Sequence, residues 1–433
     1  MKKQILSIIS LILVLTITIC GCSNSHNSTA SEEESPVSFT QRPALADTNE
    51  GTINLTKNIQ SDSANGKAID NTFINSQADF AVNLFKQTIK MDKNKNALIS
   101  PLSIQLVLAM AFNGADGETK KEFEKLMGEI TVEELNKYLY NYIKTLDNDQ
   151  LNITNSIWIR NGFKIQNDFL KANKSYYSSD VYGADFNAKT IEDINNWASD
   201  KTDNMIKELL SDDSLDKDKY SVMCLVNALL LDANWAKEYL GSDDTQEFTN
   251  ITGEKKTVQT LITTLKSFFD DGDATGFKKE LEGGKFSFVA MLPNEDIHIN
   301  DYINSLTGKK LLNTLNNPQE IYTHTKMPEF CYEYNGSKIK ESLHNLGIRL
   351  AFDPKNADFS KIAPEVSIDK FIHKTKISVN EVGVKAASAS AAIAIHNGII
   401  PCEAQVIIDR PFVYMIIDNK TNLPIFIGTV MDV

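Results

Sequence analysis

An α+β body over residues 71–433 is the fold class the sequence predicts, and three observations carry it. Some segments repeat their apolar residues at helical spacing, while others alternate or run apolar like strands. The two kinds mix without the regular strand–helix alternation of a doubly wound sheet. No internal repeat divides the chain.

The elements follow in order. Residues 73–89 set Ile74, Ala78, Ala81, Leu84 and Phe85 on one stripe, as an amphipathic helix does. Ser100-Pro101 then suits the start of an apolar helix that reaches about Phe112, and Asn113-Gly114-Ala115-Asp116-Gly117 breaks it. Thr119 to Met127 reads as a further helix, Leu151 to Ile159 alternates like a strand, and residues 188–210 hold one or two helices around Trp197. Strands dominate beyond this point: Val222 to Leu231, Phe286 to Leu292, Lys374 to Val379, 412–418 and 424–430, with a helix at Ile339 to Leu346.

The N-terminus reads as an export signal. Lys2 and Lys3 precede an apolar run from Ile5 to Ile19, which ends in Cys20-Gly21-Cys22. Ile19-Cys20-Gly21-Cys22 resembles a bacterial lipobox. That resemblance implies a signal peptide over 1–21 and a lipid on Cys22, with the body held on the outer side of a membrane. Residues 22–70, rich in Ser, Asn, Asp, Glu and Thr, read as a disordered tether. The net charge of −13 argues against nucleic acid or anionic lipid as a partner for the body.

No catalytic signature appears: no GxSxG, phosphate-cradling loop, HExxH or CxxC. The six histidines are scattered, and Cys224, Cys331 and Cys402 lack metal-ligand spacing, so neither metal nor cofactor is expected. The body is not expected to be an enzyme.

A family resemblance rests on marks spread along residues 71–433. They are Asn96 to Ile104, Gly114-Ala115-Asp116-Gly117-Glu118-Thr119, Ile194-Asn195-Asn196-Trp197, Val226-Asn227-Ala228 with Trp235, and Met291-Leu292-Pro293. Then come Phe352-Asp353-Pro354, His373-Lys374, Val379-Asn380-Glu381-Val382-Gly383, Asp409-Arg410-Pro411-Phe412 and Phe426-Ile427-Gly428. With these the chain resembles a serpin. The resemblance implies three β-sheets, about nine helices and an exposed reactive-centre loop. It also implies a suicide mechanism, in which a protease cleaves the loop and is carried as an acyl-enzyme while the loop inserts into the main sheet. By the same resemblance, Ser100, Ser103, Asn227 and His373 form a polar cluster under the opening sheet, and Trp235 stands where the loop first enters.

The hinge expected from this comparison is Glu381, Gly383, Val384, Ala386, Ala387, Ser388, Ala389 and Ser390. Inserted as a strand, Val384, Ala386, Ser388, Ser390, Ala392 and Ala394 would share one face. None is charged or larger than valine, so that face can meet a packed core. Lys385 falls on the other face, near solvent. Gly383 is read as a pivot with backbone freedom. An Ala-rich run also suits a short helix or linker over 385–394. Val384 replaces the usual threonine or serine, and Asn204 replaces a usual glycine, a position asparagine tolerates in left-handed backbone.

Counting seventeen residues from Glu381, as inhibitory serpins do, puts the scissile bond between Asn397 and Gly398; a slightly long loop lets it slide to Ile399 or Ile400. No Lys, Arg or Asp lies between Ala386 and Ile408, which argues against trypsin-like and caspase-like targets. The isoleucines and alanines of 393–400 suit a subtilisin-like or elastase-like serine protease, with a papain-like cysteine protease as a second class. The expected inhibitor is monomeric. Two other readings stand beside it, a non-inhibitory serpin-fold binding protein and a surface solute-binding lipoprotein.

Overall fold

One buried helix explains how the chain builds its centre. Ser100 caps a helix by accepting a hydrogen bond from the Ser103 N–H at 3.2 Å, and Pro101 occupies the first helical position. All twelve residues of that helix are buried, so it has no polar face. It packs between strands Leu151–Arg160 and Met223–Leu231 on one side and Pro424–Val430 on the other. The computed structural model describes residues 51–146, 149–202, 204, 206–211, 215, 222–239, 244–385 and 401–433.

In chain order the elements are β1 (Ile53–Asn54), α1 (Asn71–Met91), β2 (Ala97–Ile99), α2 (Pro101–Phe112), α3 (Gly117–Leu126), α4 (Val132–Leu146), β3 (Leu151–Arg160), α5 (Asn167–Tyr177), β4 (Asp180–Ala184) and α6 (Ala188–Lys201). Next come β5 (Met223–Leu231), β6 (Ala233–Asn234), β7 (Thr245–Thr249), β8 (Lys255–Asp270), β9 (Ala274–Glu280), β10 (Phe286–Pro293), α7 (Ile299–Ser305), α8 (Gly308–Asn316), β11 (Gln319–Pro328) and β12 (Phe330–Asn335). The chain closes with α9 (Ile339–Asn345), β13 (Ile368–Val379), β14 (Gly383–Lys385), β15 (Ala404–Ile407), β16 (Phe412–Asp418) and β17 (Pro424–Val430). Asp70 caps α1 through the Phe73 N–H, and Asn187 with Thr190 forms a capping box on α6.

The main sheet runs β1-β4-β3-β5-β13-β14-β6, with β12 on the other edge of β13. The second network runs β15-β11-β8-β9-β10-β16-β17-β2, with β7 on β8. β8 pairs with β11 along most of its length and with β9 only at Phe269 and Asp270, so one strand joins two sheets. The three expected sheets are therefore linked, and among the described residues there are nine α-helices.

The expected tether ends earlier than residue 70. Ile53 and Asn54 add to the edge of β4, Leu55 donates its N–H to Val181 O at 2.8 Å, and Leu55, Ile59 and Ile69 pack on the core. The polar composition hid these spaced apolar residues, and an open sheet edge supplies the backbone partners they need. Residues 22–50 and Cys22 lie outside the described residues.

Candidate functional site at the opening of the main sheet

The site begins where β13 changes partners. Over Ile368–Lys374 it runs parallel to β5, and near its end Ser378 and Val379 pair with Lys385 and Val384 of β14. β12 holds the other edge from Lys374 to Val379. Thr375, Lys376 and Ile377 thus have no described strand on the edge that faces the β5 side. A gap lies between the closed seam below and β14 above. Leu98, Leu231, Ile377, Val384, Ile416 and Phe426 line the small cleft there.

A polar cluster fastens the seam. The Ser100 N–H donates to His373 Nε2 at 3.4 Å, and His373 Nδ1 lies 3.0 Å from Asn227 Oδ1. An accepting Nε2 leaves the ring proton on Nδ1, donated to Asn227. Asn227 Nδ2 donates to Ser103 Oγ and to Asn155 Oδ1, the latter at 2.6 Å. Three adjacent strands are thereby tied to α2. Ser100, Ser103, Asn227 and His373 are all buried, and burial pushes the His373 imidazole down to about 3, so it is neutral. The four residues expected to cluster do so. The strand expected over Lys374 to Val379 begins earlier, at Ile368, so His373 lies in mid-strand. Asn155 escaped the sequence reading, although an asparagine inside a strand-like run is itself a signal.

The mouth of the gap is built on Trp235. Its indole Nε1 donates to Asn380 O at 2.8 Å and its backbone N–H to Val382 O at 2.9 Å. The Tyr239 N–H reaches Glu381 O at 3.2 Å. Asn380 turns the chain by accepting the Val382 and Gly383 N–H groups on Oδ1, an Asx turn. Edge contacts to Phe288 and Tyr239 hold the Trp235 ring, and Lys279 Nζ sits 4.3 Å from the Tyr239 ring centre while donating to Lys237 O. Burial, with Lys237 adding to it, pushes the Lys279 ammonium down to about 8. The sequence reading did not mark Lys279, Tyr239 or the turn-making role of Asn380.

Gly383 and Val384 already sit inside the sheet, opposite Asn234 and Ala233 of β6. Val384 is buried on the core side, as the alternation predicts. The reason for Gly383 differs from the expected one. Its backbone is not left-handed; a Cβ there would lie 2.3 Å from Ala233 O and 2.7 Å from Asn234 Cα, so close strand approach demands glycine. Asn204 does adopt a left-handed backbone, with φ of 63°. Cys402 is exposed, its Sγ 3.8 Å from Thr264 Oγ1, and Cys224 is a buried thiol. Ala386, Ala387, Ser388, Ala389, Ser390, Asn397, Gly398, Ile399 and Ile400 lie outside the described residues.

Residues 75–433 match the family model for Serpin (serine protease inhibitor). Glia-derived nexin of Mus musculus is 30% identical over 366 residues, which is 81% of this chain and 90% of that protein. Neuroserpin of Homo sapiens is 28% identical over 377 residues, 82% of this chain and 90% of its own. The crystal structure of the thermophilic serpin tengpin in the native state superposes with a TM-score of 0.83 at 40% identity, covering 88% of this chain and all of that one. Tengpin in the latent state gives a TM-score of 0.73 at 38% identity, over 85% of this chain and all of that one. The chain belongs to the serpin family.

Proposed function

We propose that this serpin is an extracellular, lipid-anchored suicide inhibitor of endopeptidases, working by loop cleavage and insertion between β13 and β5. One observation carries the reading: β14 is the first stretch of a strand that starts in the gap and has room to continue. Extending the register Ser378–Lys385 and Val379–Val384 would bring Ala386 opposite Ile377, Ser388 opposite Thr375, Ser390 opposite His373 and Ala392 opposite Phe371. Residues 386–388 would meet the gap before any β13–β5 pair must part; the rest must separate β13 from β5 over Ile368–Lys374. Each core-facing newcomer is small and uncharged, so none carries the several kcal/mol of desolvation, roughly, that a buried unpaired charge would.

The chemistry belongs to the protease. Its nucleophile attacks the carbonyl of Asn397, the Gly398 amine leaves with the C-terminal fragment, and the acyl bond tethers the enzyme to the hinge strand. Insertion then carries the tethered enzyme along with the strand and distorts its active site before water can release it. The isoleucine-rich bait at 393–400 supports a subtilisin-like or elastase-like target, with Ile399 or Ile400 as alternative bond positions and a papain-like cysteine protease as the second class. Cys22 would carry the lipid. That the related tengpin has been crystallised in both native and latent states supports a body with more than one accessible arrangement.

Limited digestion followed by mass analysis of the released fragment tests the bond and the insertion together. The fragment is expected to begin at residue 398, 399 or 400. The cleaved protein is expected to melt well above the intact one. An unchanged melting temperature after cleavage would contradict insertion and favour a non-inhibitory binding protein.

A further inference from the structure

The parallel seam between β5 and β13 is irregular at its lower end. Ile368 faces Met223 and Lys370 faces Cys224, so Asp369 is an extra residue bulged out of the register. A bulge disrupts the ladder and leaves its extra residue unpaired. Here the Asp369 carbonyl accepts Lys340 Nζ of α9 at 3.0 Å, while the side chain reaches β5. Its Oδ2 accepts the Val222 N–H at 2.5 Å and the Met223 N–H at 3.1 Å. The Val222 carbonyl is held from the other side by the Arg160 N–H of β3 at 2.8 Å. Val222 and Met223 are buried, so without the carboxylate these two N–H groups would lose their partner away from water. One charged oxygen thus does for the amides at the start of β5 what neutral carbonyls do in a regular ladder, and it holds them more strongly.

We propose that Asp369 is a carboxylate staple at the base of the β5–β13 seam, a positioning residue that resists the last stage of loop insertion. This role rests on the insertion reading given above. Continuing the β14 register would bring Ala394 opposite Asp369, so an inserting strand reaches the staple only near its end. The cluster of His373 and Asn227 lies higher in the seam, opposite Ser390 in the same register. The seam therefore has two fastenings of different kinds. The upper one ties neutral side chains to α2. The lower one sets a charge on backbone amides that the new strand must itself take over. In the inserted state those amides would bond the new strand, and the staple no longer exists. Removing the carboxylate should therefore weaken the intact form and leave the inserted form untouched. A residue that merely shaped the bulge would support both forms alike.

Two variants test it. Asp369→Asn keeps an oxygen acceptor in place and removes its charge, and Asp369→Ala removes the acceptor. Amide exchange of the intact proteins judges the fastening alone. Exchange at Val222 and Met223 is expected to be about tenfold faster in the Asn variant, beyond any change at Val226 higher on the strand, and faster still in the Ala variant. Equal rates, or a uniform rise along β5, would overturn the staple. Melting temperatures of the intact and loop-cleaved proteins judge the hold on insertion. The Asn variant is expected to melt below the wild type when intact and level with it when cleaved, and its rise after cleavage is expected to finish sooner. An equal drop in both forms would overturn the positioning role. Failure of the insertion reading looks different: cleavage then raises the melting temperature of neither protein. That result overturns the hold on insertion as well, while the exchange comparison still decides the staple.

Discussion

His373 shows how a single side chain can set the pH range of the fold. It is neutral in the folded protein because burial leaves an imidazolium without water, while the Ser100 N–H needs its lone pair. The folded pKa lies below the unfolded value of 6.5, so the stability it contributes is complete above that value and drains away as pH falls toward about 3. Replacing it by glutamine is expected to cost about 1–3 kcal/mol at neutral pH and to flatten the acid slope of the melting temperature; equal slopes in both proteins would contradict the assignment. Gly383→Ala tests a steric claim. The added methyl must push Ala233 O away, which is expected to cost about 1–3 kcal/mol in urea denaturation. Gly383 also marks a limit of reading residues alone. The sequence shows that a glycine is there, but only the pairing of β14 with β6 shows that the need is clearance and not a left-handed turn.

At the scale of elements, Val384 opens the hinge face read over residues 384–394 and is buried, while Ala386 to Ala394 lie outside the described residues. Val384→Arg would place a charge on the core side of the gap. This change is expected to convert inhibitor into substrate, raising the fraction of cleaved, uncomplexed protein by at least about tenfold; gel densitometry against the wild type would measure it, and undiminished trapping would contradict it. Strands such as β5, β10, β16 and β17 were legible because burial on both faces makes them continuous apolar runs. β8 was not. Its residues Lys255 to Asp270 mix Lys and Thr with Leu and Phe, and its two ends serve different partners, so no single alternation runs through it. The Asn155 and Tyr239 contacts were illegible for a related reason: each joins elements far apart in sequence.

At the scale of the whole molecule, the main sheet is closed below, held by a buried polar cluster, and open for three residues at the top. In the proposed mechanism an inserted strand exchanges the single β5–β13 ladder for two, and loop cleavage would free the strand to make them. Ile53 and Asn54 add to the far edge of the same sheet, and residues 22–50 are the proposed span to the membrane. The most direct measurement is denaturing electrophoresis with mass analysis after mixing the protein with a subtilisin-like protease. A covalent band at the summed masses, less the released C-terminal fragment, is the result expected. Clean cleavage of the loop with no such band, for every serine and cysteine protease in a panel, would contradict the central claim.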